Sequence, residues 1–334
     1  MVGSDPTERG GMATVTALML KHRPDIRMIV THREGSALKR LRLWVTGTVR
    51  VALALRHVDV VHAHMSERGS VIRKGVVVLL AKAFRVPIVV HCHGAEFVEW
   101  FQGLPRPVQR VVAWTFRQAD LFAVLGVSWR RTYASLLGVT RIAVLGNPVE
   151  LSPVAEKPAG LRVVFLGRFG ARKGSAAVLR AVAGLPVDVV MAGDGEVAET
   201  RALAAELGVR AEIHTWLAPV DRDRVLASAH VFVLPSRDEG LPMALLEAMG
   251  HGLVPVVSPV GSIGEVVWDG ENGMLVPPGD DAAIRQALEK LLADDGLRDR
   301  LSTSARATVE PYDIGPYVVG LAGHWDRISG SRVG

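Results

Sequence analysis

The sequence predicts an α/β protein made of two doubly wound parallel sheets. Three observations carry this. The chain has 334 residues, enough for two domains at about 150 each. Short apolar, β-branched runs such as VVFL (163–166) and VFVL (231–234) alternate with helical patterns, the mark of βαβ units around a parallel sheet. Between the halves lies PVELSPVAEKPAG, residues 148–160. Its prolines and small residues read as an interdomain linker, giving domains of 1–150 and 151–311.

Composition bounds the class. Apolar residues make up 49%, charged residues 22% and aromatics 5%, ordinary for a globular protein. The longest apolar run, Gly75 to Phe84, is interrupted by Lys82 and is too short to span a bilayer. The first residues carry no apolar signal core, and the single cysteine, Cys92, excludes an intramolecular disulfide. A cytoplasmic location is expected. Charge is uneven: residues 1–150 hold 21 Lys and Arg against 10 Asp and Glu, and the remainder 18 against 24. A basic first half asks for an anionic partner. Without zinc-finger spacing or interleaved basic and aromatic residues, nucleic acid is set aside for a membrane surface or a phosphate-bearing substrate.

The first half opens with Gly10-Gly11 before a helical pattern (Met12, Val15, Leu18, Met19), so a glycine turn meets a helix start. An ordinary turn explains it equally. Residues 26–31 read as a strand. Residues 38–56 combine Lys39, Arg40, Arg42, Arg50 and Arg56 with Leu38, Leu41, Trp44, Val45, Val49 and Leu53. This basic amphipathic helix suits an anionic membrane surface, or packs its apolar stripe on the sheet. The strand VDVVHAH (58–64), a helix (71–84) and the strand PIVVHCHGAEF (87–97) follow. Their four histidines and Cys92 invite a metal. Against it, His91 and His93 flank a residue pointing to the other sheet face, and no helical His pair or Cys pair completes a set.

In the second half, LRVVFLGRFGARKG (161–174) is a strand running into Gly167, Arg168, Arg172 and Lys173 at a helix start. Fixed cations and helix-start amides there would stabilise a departing diphosphate; the plain alternative is a solvated charge cluster. MAGDGEVA (191–198) carries Gly193, Gly195 and Ala198 in the G-x-G-x-x-A dinucleotide pattern, a weak signal this far inside a domain. Asp221-Arg222-Asp223 imitates a D-x-D metal motif, but helix capping explains it. Pro311 and Pro316 are expected to break the chain.

The stretch VFVLPSRDEGLPMALLEAMGHG (231–252) holds the sharpest signal. A strand ends at Pro235-Ser236, an acidic turn follows, and a short helix runs from Met243 to Met249 with Pro242 at its first position. Glu239 thus sits beyond a strand's carboxyl end, where open α/β sheets bind ligands. Amides of Gly240, Leu241 and Met243 would face a ligand, and Glu247 lies two turns into the helix.

Glu239, seven residues, Glu247, a glycine-rich stretch and EVVWDGENGMLVPPGD together closely resemble the donor-binding half of the retaining glycosyltransferases of family 4, over residues 161–309. H-x-H-G at 91–94 and ADLFAVLGVSWRRTY with NPVE extend the resemblance into the first half. It implies the GT-B fold, two Rossmann-like domains facing a cleft, with a last helix over 312–330 crossing back to the acceptor-side first domain. It further implies that Glu239 and His93 lie by the donor sugar, Glu247 holds the ribose hydroxyls, Arg168 and Lys173 bind the diphosphate, and the Gly11 loop approaches donor and acceptor. Family members begin with a strand before that loop; here only Met1-Val2-Gly3 precede it. Omitting a central strand would unpair both neighbours, at about 1–3 kcal/mol per buried group, so the native chain is expected to begin upstream.

The expected function is metal-independent, retaining transfer of a sugar from a UDP- or GDP-linked donor to a glycan or lipid-linked acceptor, in exopolysaccharide, envelope glycan or glycolipid synthesis. No resident cofactor is implied. Peripheral attachment to the inner face of the cell membrane would suit such an acceptor. Two alternatives stay open: an NAD-dependent oxidoreductase using residues 193–198, and a non-catalytic glycosyltransferase-like partner subunit.

Overall fold

The computed structural model describes residues 1–330, which form two compact units: residues 1–148 with 314–330, and residues 149–313. In the first unit the elements run β1 (Val2–Ser4), α1 (Gly11–His22), β2 (Ile29–His32), α2 (Ala37–Ala54), β3 (Val61–Met65), α3 (Gly69–Ala83) and β4 (Ile88–Cys92). They continue with α4 (Phe97–Gln102), α5 (Arg106–Phe116), β5 (Leu121–Val124), α6 (Val127–Leu137) and β6 (Ile142–Val144). All pairings are parallel, in the order β2-β1-β3-β4-β5-β6. Right-handed crossovers put α1 on one face and α2, α3, α5 and α6 on the other.

β3 and β4 are buried at all five residues each, as strands covered on both faces must be. Beside them the core packs Val71, Val77, Val78, Phe97, Phe116 and Phe122. The central place expected to lack its strand is filled, over three residues, by β1. Val2 pairs with Ile29 on one side and Ala63 on the other, and the Ile29 amide donates to the Met1 carbonyl at 2.9 Å.

Helix α2 decides between the two readings of its apolar stripe, which does not pack on the sheet. Gly47 is where the helix touches the sheet: a Cβ there would lie 2.7 Å from the Val30 carbonyl. The buried face is Gly47, Val51 and Ala54, and the apolar stripe through Leu38, Leu41, Val45, Val49 and Leu53 faces solvent.

The second unit contains β7 (Leu161–Leu166), α7 (Ser175–Val182), β8 (Val187–Ala192), α8 (Val197–Glu206), β9 (Ala211–His214), α9 (Pro219–Ser228) and β10 (Val231–Leu234). It continues with α10 (Met243–Gly250), β11 (Val254–Val257), β12 (Met274–Leu275), α11 (Asp281–Ala293) and α12 (Asp295–Thr308). Its parallel sheet has the order β12-β11-β10-β7-β8-β9, so β7 and β10 are central neighbours. Residues 150–160 form no helix or strand, yet they are tied to this unit. Leu151 N–H donates to Asp313, and Lys157 Nζ donates to the Ala229 and Gly252 carbonyls.

The chain returns to the first unit as α13 (Ile314–Gly330), which packs on α1. Pro316 does not break the chain but lies in the first turn of this helix, where a missing N–H costs no hydrogen bond. Among the described residues, no helix is long and apolar enough to cross a membrane.

Candidate active site

The turns after β7 and β10 meet at the carboxyl end of the second sheet. Lys173 Nζ donates to Glu239 Oε1, and Ser236 Oγ donates to the same oxygen at 2.7 Å. Glu239 is buried and Lys173 nearly so. Backbone contacts fix the geometry. The Arg237 amide donates to the Arg172 carbonyl at 2.8 Å, and Gly174, at φ 75°, lets the β7 turn close on Pro235, whose ring would meet a Cβ at 2.8 Å. From the other side Gly261, at φ 58°, lies where a Cβ would sit 1.9 Å from the Glu239 carbonyl, while the Ser262 amide donates to the Gly240 carbonyl. Ser236 and Gly261 escaped the sequence reading; the glycine-rich stretch after Glu247 was the signal for the second.

Helix α10 begins at Met243, with Pro242 one position earlier as its extended N-cap. Gly240, Leu241 and Met243 lie at this start, the latter two buried. Glu247, just over one turn into α10 rather than two, faces Arg222 of α9 with 3.2 Å between Nη2 and Oε1. Burial pushes its carboxyl up to about 7, opposed by Arg222 and reinforced by Asp223. The D-x-D look-alike therefore serves as a partner to Glu247. It does not cap: α9 starts at Pro219, its cap has no side-chain bond, and Asp221 pairs with Arg224 at 3.2 Å.

Arg168 is exposed on the β7 turn and lies against the glycine turn after β8. That glycine turn has a packing reason. A Cβ at Gly193 would sit 1.9 Å from the Gly167 carbonyl, and one at Gly195 2.5 Å from the Phe169 carbonyl. The Phe169 amide donates to the Asp194 carbonyl at 2.7 Å. The close approach these glycines permit is thus taken up by the β7 turn, which argues against a dinucleotide there.

In the first unit, Gly10 caps α1 at φ 123° and Gly11 is its first residue. The histidines, whose alternate spacing was read as separating them, come together instead. Residues two apart share a sheet face, and the register pairs His64 with His91 and His62 with Val89. His64 Nδ1 lies 2.9 Å from His93 Nε2, just beyond β4, and His62 Nε2 lies 3.3 Å from His91 Nδ1. Burial holds all four imidazoles below their ordinary pKa, hence neutral.

Ligand atoms of His62, His64 and His91 lie within 4.8 Å of one another, so spacing alone admits a metal. The hydrogen bonds argue otherwise. Trp325 Nε1 of α13 lies 3.1 Å from His62 Nδ1, and an indole N–H only donates. The His62 proton therefore sits on Nε2 and is given to His91 Nδ1, whose own N–H goes to the Leu145 carbonyl at 3.0 Å. A metal would need the lone pair that this proton occupies.

Comparison with known proteins gives the family and the fold. Residues 152–308 match the family described as Glycosyl transferases group 1, and residues 10–153 match Glycosyltransferase Family 4. A phosphatidyl-myo-inositol mannosyltransferase of Mycobacterium leprae is 31% identical over 279 residues, 76% of this chain and 70% of that one. A lipopolysaccharide core biosynthesis glycosyltransferase, LpsE of Rhizobium meliloti, is 33% identical over 192 residues, 56% of this chain, which spans only 55% of it. In fold, the chain resembles Anabaena Alr3699/HepE in complex with UDP, with a TM-score of 0.80 at 17% identity, covering 98% of both chains. It also resembles sucrose-phosphate synthase from Thermosynechococcus elongatus, at 0.78 and 18%, covering 99% and 98%. The chain belongs to the group 1 glycosyl transferases and has their GT-B fold.

Proposed function

We propose that this glycosyltransferase takes its sugar from a nucleotide-diphosphate donor, held in the second unit, and transfers it with retention to a glycan or lipid-linked acceptor. The observation that carries this is the buried Lys173–Glu239–Ser236 cluster at the carboxyl ends of two central strands. A base and an acid sharing one contact are placed to meet a diphosphate and a sugar together. Arg168 and Lys173 neutralise charge on the leaving diphosphate, with amides at the start of α10 beside them. Glu239 orients the sugar, and Glu247, held at Arg222, receives the ribose hydroxyls.

His93 is the first unit's candidate for touching substrate, positioned by His64, and the Gly11 turn is the candidate approach for the acceptor. No side chain acts as a nucleophile in this scheme: the departing phosphate accepts the acceptor proton on the face it leaves. No metal or resident cofactor takes part.

UDP or GDP is the favoured donor base. Anabaena HepE was crystallised in complex with UDP-glucose, and the first unit's basic surface suits work beside an anionic membrane, in envelope or exopolysaccharide synthesis. The test is a thermal-shift panel of UDP, GDP, ADP and dTDP, with their sugars, against NAD. Stabilisation by one nucleotide diphosphate and none by NAD is expected. Stabilisation by NAD alone would reinstate the oxidoreductase, and donor binding without any sugar release would mark a non-catalytic subunit.

A further inference from the structure

Helices α2, α3 and α5 form one layer on the first unit's sheet, with α3 packed against both others. Their outward surface is built unlike the rest of the molecule. On α2, Leu38, Leu41, Val45, Val49 and Leu53 are 52 to 75% exposed, and at 3.6 residues per turn they lie on one side of the helix. Arg42 falls within that stripe, with Lys39 and Arg50 along its edge. Arg40 does not belong to it: its charge bears on His32 and Arg73, on the side turned toward β2 and α3. On α5, Val108, Val111 and Trp114 form a second exposed stripe, bordered by Arg106 and Arg110. Between them α3 exposes Ile72 and Leu79, one face apart by two turns. None of the three helices contains an Asp or Glu, while they carry nine Lys and Arg.

We propose that this layer is the surface by which the protein lies on an anionic lipid bilayer, with α2 and α5 as the two contacting helices. Exposed leucine and valine stripes enter the boundary between headgroups and acyl chains, Trp114 sits at headgroup level, and the flanking bases meet lipid phosphates. The absence of acid from three adjacent helices is what selects a bilayer over a second copy of the chain. Two copies stacked through this layer would bring like charges together with nothing to offset them. The proposal deepens the membrane location proposed above, but its test needs no glycosyl transfer and so fails or succeeds separately from the reaction.

The test is co-sedimentation of the full chain with vesicles of phosphatidylcholine alone and of phosphatidylcholine mixed with phosphatidylglycerol. Binding is expected only with phosphatidylglycerol, and it should fade as salt rises. Lys39→Gln with Arg42→Gln and Arg50→Gln should weaken it about a hundredfold, at roughly fivefold for each base. Leu41→Ser with Val45→Ser and Val111→Ser should abolish it, because these residues supply the apolar insertion. All six side chains are exposed, and an unchanged melting temperature in each variant checks that folding is intact. Vesicle binding that ignores lipid charge, that survives both sets of substitutions, or that never occurs would overturn the proposal. So would a dimer in solution that the serine variant dissociates, which would assign the stripe to a second copy.

Discussion

Lys173 and Glu239 come from turns 66 residues apart and form an ion pair that is largely withdrawn from water, with Ser236 donating to the same carboxylate oxygen. The two residues for which separate roles are proposed, binding diphosphate and placing the sugar, thus share one contact. Removing one partner leaves a buried charge without its counterion, which typically costs about 3–5 kcal/mol. Lys173→Met is therefore expected to lose stability of that order in urea unfolding. Adding Glu239→Gln should restore much of it, while neither single nor double variant transfers sugar. Additive losses in the double variant would show that the pair is not coupled.

The two glutamates should separate binding from turnover. Glu247→Ala is expected to weaken affinity for the bare nucleotide by about 1–3 kcal/mol, the cost of losing hydrogen bonds to a charged acceptor, and Glu239→Ala to lose turnover while keeping that affinity. Calorimetric titration reads the difference. Equal loss of nucleotide affinity in both would reverse the assignment.

Much of this site was legible in the sequence because strand–turn–helix units announce themselves locally. Glu239 beyond VFVL and Lys173 beyond VVFL could both be placed at strand ends from pattern alone. What was not legible depends on pairs distant in the chain. That Gly193 and Gly195 pack on Gly167 and Phe169 follows from β7 and β8 being neighbours, which no local window shows. The same holds for Arg222 facing Glu247, and for Trp325 reaching His62 across 263 residues. The α2 stripe was legible as a pattern, but only the Gly47 contact with Val30 shows which way it faces.

The glycine turn offers a second check on the oxidoreductase alternative. Gly193→Ala places a Cβ against the Gly167 carbonyl, so the β7 turn must shift and carry Arg168 and Lys173 with it. A lower melting temperature and weaker nucleotide-diphosphate binding are expected, with no response to NAD before or after. A Gly193→Ala variant that melts and binds as the parent does would refute this packing account.

Two buried groups give stability opposite pH slopes. Lys74, whose Nζ donates to Thr31 at 2.8 Å, is pushed from 10.5 down to about 7 by burial and by Arg73. Between those values the unfolded chain binds the proton and the folded chain resists it, so this group makes stability rise with pH. Glu247, raised from 4.5 to about 7 by burial, contributes stability below 4.5 that is lost as pH climbs to 7. Lys74→Met should flatten the alkaline slope and stabilise at pH 6, and Glu247→Gln should flatten the acid one. Urea midpoints across pH measure both; slopes unchanged by either substitution would contradict these assignments.

The Trp325–His62–His91 chain makes a prediction about metal. Prolonged chelation is expected to leave transfer unchanged, and the isolated protein should bind no zinc tightly. Trp325→Phe releases His62 Nδ1 to carry the proton and should admit zinc, read by metal analysis. Tight zinc in the parent protein would overturn the tautomer assignment.

The most direct measurement is proton NMR of the reaction with α-linked UDP and GDP sugars and a lipid-linked acceptor. The account predicts release of the nucleoside diphosphate and appearance of an α-linked product, lost in Glu239→Ala. No release from any donor, or a β-linked product, would contradict it.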